Sequence, residues 1–141
     1  MDNQSVRDVM TPNPCAMPTG ASVMDAAQVM RGNDIGDVIV LEEDRLYGIL
    51  TDRDIVVRAL AEGADPQTTT VGDICSRELT TIRATDSVGQ AVRLMRENAV
   101  RRLPVVEESG EVIGIVSIGD VAVERDRRSA LADISAALPN V

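Results

Sequence analysis

Apolar positions in the first half of the chain change their spacing from one segment to the next. A short extended piece, Cys15–Met17, is followed by a stretch from Val23 to Met30 whose apolar residues lie at i, i+3, i+4 and i+7. That spacing is typical of a helix with one buried face. Two continuous apolar runs follow, Val38–Leu41 and Leu46–Leu50, separated by acidic residues. They predict an antiparallel hairpin.

The same pattern returns after 65 residues. Residues 22–43 recur as 87–108 at an offset of 65, and residues 47–56 recur as 113–122 at an offset of 66. The one inserted residue falls near Ser109–Gly110, in a turn that tolerates it. Such agreement indicates a duplication, so each half is predicted to be a β-α-β-β-α unit.

The second repeat supplies equivalent elements. An extended piece, Leu79–Ile82, precedes a helix that begins near Val88, and the apolar runs Leu103–Val106 and Val112–Val116 follow. In both repeats the first strand reaches the second through a helix, so these two strands should be parallel.

Helix starts are marked by capping residues. Ser22 with Asp25, and Ser87 with Gln90, have the spacing of helix N-caps, the second pair being a full capping box. A second helix is predicted to begin at Thr51, and its counterpart at Ser117.

The fold class is therefore a mixed α/β (α+β) fold of two repeats. A unit of about 55 residues buries too little apolar surface to be stable alone, so the two should pack sheet against sheet with pseudo-twofold symmetry. The predicted parts of this one compact module are a first repeat at 1–62, a linker at 63–70, a second repeat at 71–127 and a helical tail at 128–141. In the tail Leu131, Ile134 and Leu138 are spaced to cap the core or to pair with a partner chain.

Composition excludes most enzyme classes. The chain has no His, and all 14 basic residues are Arg. Without His there is no Ser-His-Asp triad and no imidazole metal site. Without Lys there is no P-loop lysine and no Schiff base. We expect no enzymatic activity, no resident cofactor and no metal site.

Charge and cysteine content bear on partners and compartment. The formal net charge is −9, which disfavours binding to nucleic acid or to an anionic membrane. Residues 1–70 carry −7 of it and residues 71–141 only −2. Cys15 and Cys75 are expected to be buried thiols in a reducing cytoplasm. The acidic, polar N-terminus is no secretory signal, and no apolar run is long enough to span a membrane, so a cytoplasmic protein is expected.

One motif occurs in both repeats. Residues Gly48–Asp54 and Gly114–Asp120 share the pattern G-h-h-[ST]-x-x-D, where h is apolar, on a strand that leads directly into a helix. The same spacing forms a capping box, which is purely structural. It also suits a ligand, because a helix N-terminus attracts phosphate and a carboxylate can accept hydrogen bonds from both hydroxyls of a ribose. The two roles do not exclude each other.

Over residues 5–126 the chain resembles a tandem pair of CBS (cystathionine β-synthase) domains, often called a Bateman module. The resemblance rests on the duplication, the element order, the run Arg102–Val106 and both G-h-h-[ST]-x-x-D motifs. The stretch Thr51–Gly72 also resembles stand-alone actinobacterial CBS proteins linked to hypoxic response. The family implies two clefts between the repeats that bind AMP, ADP, ATP, NAD(H) or S-adenosylmethionine, with any Mg²⁺ arriving with ATP.

The resemblance also implies which residues form each cleft. The first is expected to combine Thr51, Asp54, Thr81, Ile82, Arg101, Arg102 and Pro104. The second is expected to combine Ser117, Asp120, Ala16, Met17, Pro18, Gly36, Asp37 and Ile39.

The two predicted clefts differ in charge. Arg101 and Arg102 in the first correspond to Gly36 and Asp37 in the second, and Ile39 stands where the family has Pro. We therefore expect phosphorylated adenosine in the Asp54 cleft. The Asp120 cleft should be empty or take adenosine or S-adenosylmethionine. Alternatively, the two Arg side chains are solvated surface charges or ion-pair with the acidic first half.

Two functions remain open from the sequence. The first is a regulatory, energy-sensing module that binds an adenosine ligand and signals to an unidentified partner protein as a homodimer. The second is a ligand-free dimerisation or protein-interaction module with vestigial clefts. Family pairs commonly associate face to face through their helices. The Arg-only, Ala- and Val-rich composition is typical of a GC-rich bacterial genome.

Overall fold

Two β-sheets and their flanking helices make up the computed structural model, which describes residues 4–77 and 79–122. The helices are α1 (Val6–Val9), α2 (Val23–Asn33), α3 (Asp52–Asp54) with a π-helix directly after it (Ile55–Leu60), α4 (Val71–Ile74) and α5 (Val88–Asn98). The strands are β1 (Thr11–Pro12), β2 (Ala16–Pro18), β3 (Asp37–Glu42), β4 (Arg45–Thr51), β5 (Ile82–Arg83), β6 (Arg102–Val106) and β7 (Val112–Ser117). Residues 118–122 are helical. The predicted mixed α/β class is confirmed.

The sheet of the first repeat has the order β2-β3-β4. As predicted, β2 is parallel to β3, with Ala16 opposite Ile39, and β3 is antiparallel to β4, with Asp37 opposite Thr51. The β3–β4 turn consists of Glu43 and Asp44, which have φ angles of 52° and 66°. Two successive positive φ angles match the right-handed twist of the strands in a two-residue hairpin.

The sheet of the second repeat has the order β1-β7-β6-β5. The β6 and β7 strands occupy the predicted apolar runs. The β1 strand was not expected there: it pairs antiparallel with β7, with Thr11 opposite Ile115 and Pro12 opposite Gly114. Two residues without apolar alternation give no strand signal in the sequence.

The long helices begin as their sequences predict. The Ser22 side chain accepts a hydrogen bond from the backbone N–H of Asp25 at 3.0 Å, and that of Ser87 accepts one from Gln90 at 3.0 Å. The full capping box predicted at Ser87 is not formed. The Ser87 hydroxyl caps the helix, but the Gln90 side-chain oxygen accepts a hydrogen bond from Arg93 instead of from the Ser87 backbone. Both helices bury one face: Val23, Ala26 and Met30 in α2, and Val88, Ala91 and Met95 in α5.

The helix after β4 differs from the expected α-helix. After α3 the backbone widens into a π-helix, and the N–H of Ala61 donates to the carbonyl of Val56 at 2.9 Å. Ile55 and Ala59 are buried on its inner side. No Pro or Gly lies in this stretch, so the sequence contains no marker of the wider turn.

The opening segment of each repeat packs on the other repeat. In α1, Val6 N–H donates to the Asp86 carbonyl at 2.8 Å and Arg7 N–H to that of Ala84 at 3.0 Å. In the segment of α4, Val71 N–H donates to the carbonyl of Ala21 at 2.8 Å. Among the described residues, one compact unit therefore comprises 4–12, 80–105 and 114–122, and the other comprises 13–77, 79 and 106–113.

These units cut across the sequence repeats. The predicted boundaries at 62 and 70 follow the duplication and stay predictions. The boundary at 127 and the predicted tail helix lie outside the described residues. Within the described part of the chain, no helix is both long enough and apolar enough to cross a membrane.

Candidate functional site

The first motif forms a reciprocal capping box where β4 meets α3. The Thr51 backbone N–H donates to Oδ2 of Asp54 at 2.9 Å, and the Asp54 N–H donates to Oγ1 of Thr51 at 3.1 Å. Only 15% of the Asp54 side chain is exposed. One carboxylate oxygen is thus held by the backbone at a helix N-terminus, where the helix dipole favours negative charge.

The second motif repeats this geometry closely. The Ser117 N–H donates to Oδ2 of Asp120 at 2.9 Å, and the Asp120 N–H donates to the Ser117 hydroxyl at 3.2 Å. Both residues are half-buried. The capping interpretation of the spacing is therefore confirmed in both repeats, and the ligand interpretation depends on what else surrounds the carboxylates.

Two further capping boxes, at the starts of α1 and α4, serve as a comparison for the repeated motif. Ser5 with Asp8 caps α1, with N–H to carboxylate at 3.2 Å, and Thr70 with Asp73 caps α4 at 3.5 Å. They have the same S/T-x-x-D spacing, so the spacing alone does not distinguish them from the repeated motif. Their hydrogen bonds are exposed, whereas those of the repeated motif are partly buried.

The glycine of each motif allows a neighbouring segment to approach β4 or β7. A Cβ on Gly48 would lie 2.5 Å from the Ser76 carbonyl oxygen and 2.7 Å from the Cys75 sulfur. A Cβ on Gly114 would lie 2.9 Å from the carbonyl oxygen of Thr11. The motif glycines are therefore explained by packing and need no ligand role.

Arg58, which was not predicted as a site residue, lies beside the first motif. Its Nε is 3.8 Å from Oδ1 of Asp54, and its terminal nitrogen is 3.4 Å from the Ile74 carbonyl and 3.5 Å from that of Cys75. Its i+4 spacing from Asp54 was the available signal. The position equivalent to Arg58 in the second repeat is Glu124, so the two motifs differ in the charge that follows them.

Burial determines the protonation state of the Cys75 thiol, which lies near Arg58 and Asp54. Desolvation raises the pKa of Cys75 above its ordinary value, and the carboxylate of Asp54 adds to the rise, while the guanidinium groups of Arg77 and Arg58 oppose it. Cys75 is 4% exposed. It is therefore a protonated core residue at neutral pH, and the prediction of a buried thiol is confirmed for Cys75. Cys15 is only half-buried.

The second repeat's contribution to the predicted first cleft lies in one compact unit. Thr81 and Arg101 are exposed, Arg102 is half-buried, and Ile82 and Pro104 are buried in β5 and β6. The Arg101 carbonyl accepts from Ile118 N–H at 2.8 Å, so within this unit Arg101 adjoins the Ser117 motif. The combination of these residues with Thr51 and Asp54 stays a prediction of the family resemblance.

The first repeat's contribution to the predicted second cleft lies in the other unit. Ala16, Met17 and Pro18 of β2 lie opposite Ile39, Val40 and Leu41 of β3. The carbonyl of Gly36 accepts from Asp52 N–H at 2.9 Å. Asp37, opposite Thr51 in the hairpin, thus adjoins the first motif. The combination with Ser117 and Asp120 likewise stays a prediction.

No metal centre is built from the part of the chain that the structure describes. Residues 4–77 and 79–122 hold no group of three or more metal-binding side chains close enough to share an ion. The carboxylates of the two motifs are instead engaged by backbone N–H groups.

Comparison with known sequences places both repeats in one family model. Residues 6–60 and 71–126 each match the model of the CBS domain. CBS domain-containing protein YhcV of Bacillus subtilis is 37% identical over 135 residues, which cover 93% of this chain and 95% of that protein. Hypoxic response protein 1 of Mycobacterium tuberculosis is 38% identical over 119 residues, 84% of this chain and 82% of that protein.

Solved structures agree with the fold. The CBS domain pair of protein MJ0100, in complex with 5′-methylthioadenosine and S-adenosyl-L-methionine, matches with a TM-score of 0.81 at 25% identity, over 90% of this chain and 99% of that one. Hypoxic Response Protein I with two coordinated zinc ions matches with a TM-score of 0.74 at 37% identity, over 86% of this chain and 98% of that one.

Proposed function

Because the chain belongs to the CBS domain family and carries two tandem copies of the domain, we propose that it is a regulatory module that binds adenosine-containing ligands. Asp54 and Asp120 are the proposed ribose-binding carboxylates. Ligand binding would shift the population between two arrangements of the module and so change the activity of a partner protein. Without His or Lys to serve as a base, a nucleophile or a metal ligand, the proposed role is regulation and not catalysis.

The observation that carries this proposal is the partly buried form of the repeated capping box. In each repeat a backbone N–H holds Oδ2 of the aspartate at 2.9 Å. The carboxylate is thereby fixed in direction before a ligand arrives, which lowers the ordering cost of binding. The exposed boxes at Asp8 and Asp73 lack this partial burial.

Charge favours a phosphorylated ligand with the Asp54 motif. We propose Arg101 and Arg102 as its phosphate-binding residues, together with Thr81, Ile82, Pro104 and Thr51 along its adenosine part. An Arg guanidinium recognises phosphate with two parallel hydrogen bonds. In the residue set predicted with Asp120, the position that corresponds to Arg102 is Asp37, a carboxylate, so AMP, ADP or ATP is proposed for the Asp54 motif only.

A dye-based thermal melt with AMP, ADP, ATP, NADH and S-adenosylmethionine tests the proposal. Ligand at about 100 times its Kd stabilises the fold by about 2.7 kcal/mol. That free energy corresponds to a rise in Tm of at least about 5 °C. Absence of a rise with all five ligands would contradict the proposal and favour the interaction module.

Asn variants separate ligand binding from helix capping. Asp54→Asn keeps a side-chain oxygen for the Thr51 N–H but removes the charge, so it should reduce the ligand-induced rise in Tm to about half or less, with limited loss of basal stability. Asp73→Asn makes the same change in the exposed box of α4 and should keep the rise. Equal losses in both variants would assign Asp54 a capping role only.

Exposed apolar residues support a homodimer, which is also the basis of the second candidate function. On the π-helix, Val56 and Leu60 are each 55% exposed and Val57 is 44% exposed. We propose that this strip contacts a second copy of the chain. Val56→Gln with Leu60→Gln should raise the monomer fraction in analytical ultracentrifugation. Unchanged sedimentation would place the interface elsewhere. A dimer that binds no adenosine ligand would leave the interaction module as the function.

A further inference from the structure

An apolar groove of about 370 Å³ lies between α5 and the helical residues 118–122. Among the residues that line it are Val92, Met95 and Arg96 of α5 and Ile118, Val121 and Ala122. All of them belong to one compact unit. The side chain of Ile118 is 51% exposed, so the groove presents a large apolar side chain to whatever covers it. Contiguous apolar surface of this kind is typical of a contact site.

The chain leaves this groove from its own wall. Val121 and Ala122 are the last described residues, and residues 123–141 follow them outside the described part. The stretch 124–128 is charged, and residues 130–138 then place apolar side chains at i, i+3 and i+7 ahead of Pro139. These side chains are Leu131, Ile134 and Leu138. Their spacing predicts a helix with one apolar face, which from the sequence alone could cap the core or pair with a partner chain.

Length and charge both suit this segment to the groove. A helix over residues 130–138 would be about 14 Å long. Residues 123–129 can span up to about 25 Å when extended, so they are long enough to turn that helix back onto α5. Arg96 is the one charged residue among the described residues that line the groove. Asp133, the one charged residue of 130–138, has the opposite sign.

We propose that residues 130–138 of the same chain cover this groove, with Leu131, Ile134 and Leu138 facing its apolar wall and Asp133 near Arg96. A second copy of the chain would offer the same segment. A segment on a short flexible tether, however, is present at an effective concentration of about 1 mM, so it fills the groove ahead of a second copy at micromolar concentration. The proposal goes beyond the proposed function and does not depend on any adenosine ligand.

Cysteine cross-linking in the full-length chain tests the contact. Ile118→Cys is combined with Ile134→Cys in a Cys15→Ser background, and the buried Cys75 is kept. Mild oxidation should link the two new cysteines within one chain, which gives a monomer band on a non-reducing gel and a linked peptide pair in mass spectrometry. Ala136 lies on the opposite side of the predicted helix. Ile118→Cys with Ala136→Cys should therefore stay unlinked, since a disulfide needs Cα atoms within about 7 Å.

Stability and amide exchange provide a second readout. Leu131→Gln with Ile134→Gln should lower the Tm by at least about 3 °C, because two apolar contacts with the groove are lost. The amides of Val121 and Ala122 should exchange with solvent at least about fivefold faster in this double variant. Ala136→Gln is the matched control and should leave the Tm and both exchange rates close to those of the wild type.

Each other outcome overturns the proposal. A disulfide formed between chains, seen as a dimer band, would assign the groove to the segment of a second copy. Equal linking of the two cysteine pairs, or no linking of either, would show that residues 130–138 have no defined contact with the groove. An unchanged Tm and unchanged amide exchange in the double Gln variant would show the same. AMP binding measured in parallel tests the proposed function separately.

Discussion

The glycine, the hydroxyl residue and the aspartate of the G-h-h-[ST]-x-x-D motif have separate physical tasks. Gly48 leaves room for the backbone of Ser76, whose N–H and C=O both bond to Ile49 of β4. Thr51 and Asp54 exchange hydrogen bonds that start the next helix. The aspartate alone combines this capping with a partly buried, pre-oriented charge. The role of the aspartate therefore requires a ligand-binding test.

Gly48→Ala should destabilise the fold by about 1–3 kcal/mol, because the new Cβ would clash with backbone and sulfur atoms that cannot move independently. Gly20→Ala is the control, since a Cβ there meets nothing within 4 Å. Its expected effect is within about 0.5 kcal/mol. Urea unfolding of both variants measures the difference, and similar midpoints would refute the close-packing explanation.

Cys75 is expected to make the free energy of unfolding depend on pH in the alkaline range. Its pKa is raised in the folded state by burial, so between the ordinary thiol value of about 8.5 and the raised value only the unfolded chain loses the proton. The free energy of unfolding should therefore fall as pH rises through this window, by up to about 1.4 kcal/mol per pH unit.

The measurement is urea unfolding from neutral pH to about pH 10. Cys75→Ala should have a shallower decline than the wild type, even though its stability at neutral pH is lower. Cys15→Ala should keep the wild-type decline. Identical declines in all three proteins would show that Cys75 does not contribute.

At the scale of elements, the sequence predicts what local pattern controls. The starts of α2 and α5 follow from Ser22 and Ser87, and the β3–β4 hairpin follows from two apolar runs. The π-helix and the pairing of β1 with β7 do not follow, since both depend on tertiary packing of residues without a pattern of their own. The ends of α2 and α5 could not be predicted either, because the left-handed residues that end them, Asp34 and Ala99, are not glycines.

Ala99→Gly should stabilise the protein. Ala99 ends α5 with φ 54° and ψ 42°, a conformation that costs an L-residue about 1–2 kcal/mol and that Gly adopts freely. After the entropy cost of Gly, a net gain of about 0.5–1 kcal/mol is expected. Ala61→Gly, where φ is −64°, should give no gain. Thermal unfolding of both variants decides, and a loss of stability in Ala99→Gly would contradict the expected relief.

At the scale of the molecule, duplication in the sequence and compactness in space divide the chain differently. The core of the first repeat includes Val71, Ile74 and Cys75, which lie beyond the repeat's own predicted boundary at residue 62. A duplication alone cannot show that the opening segments are exchanged, because the repeated pattern is the same in either arrangement. The candidate carboxylates could be predicted, whereas the contacts of Arg58 with the carbonyls of Ile74 and Cys75 depend on the packing of a distant segment.

A fragment ending at residue 62 should lack a cooperative thermal transition, because it leaves Val23, Ala26 and Met30 without three of their core partners. A fragment of residues 13–79 retains that core cluster and should show more helical circular dichroism and a cooperative transition. Equal behaviour of the two fragments would mean that the segment of α4 is not needed by the first repeat.

We propose that the partly buried aspartates bind adenosine ligands and that phosphate selectivity is confined to Asp54. Titration calorimetry of AMP into the wild-type protein, Asp54→Asn and Asp120→Asn tests it directly. We expect one AMP site per chain, at least about tenfold weaker affinity in Asp54→Asn after loss of a charge-assisted hydrogen bond, and wild-type affinity in Asp120→Asn. An unchanged AMP affinity in Asp54→Asn, or no binding of any phosphorylated adenosine to the wild type, would contradict this proposal.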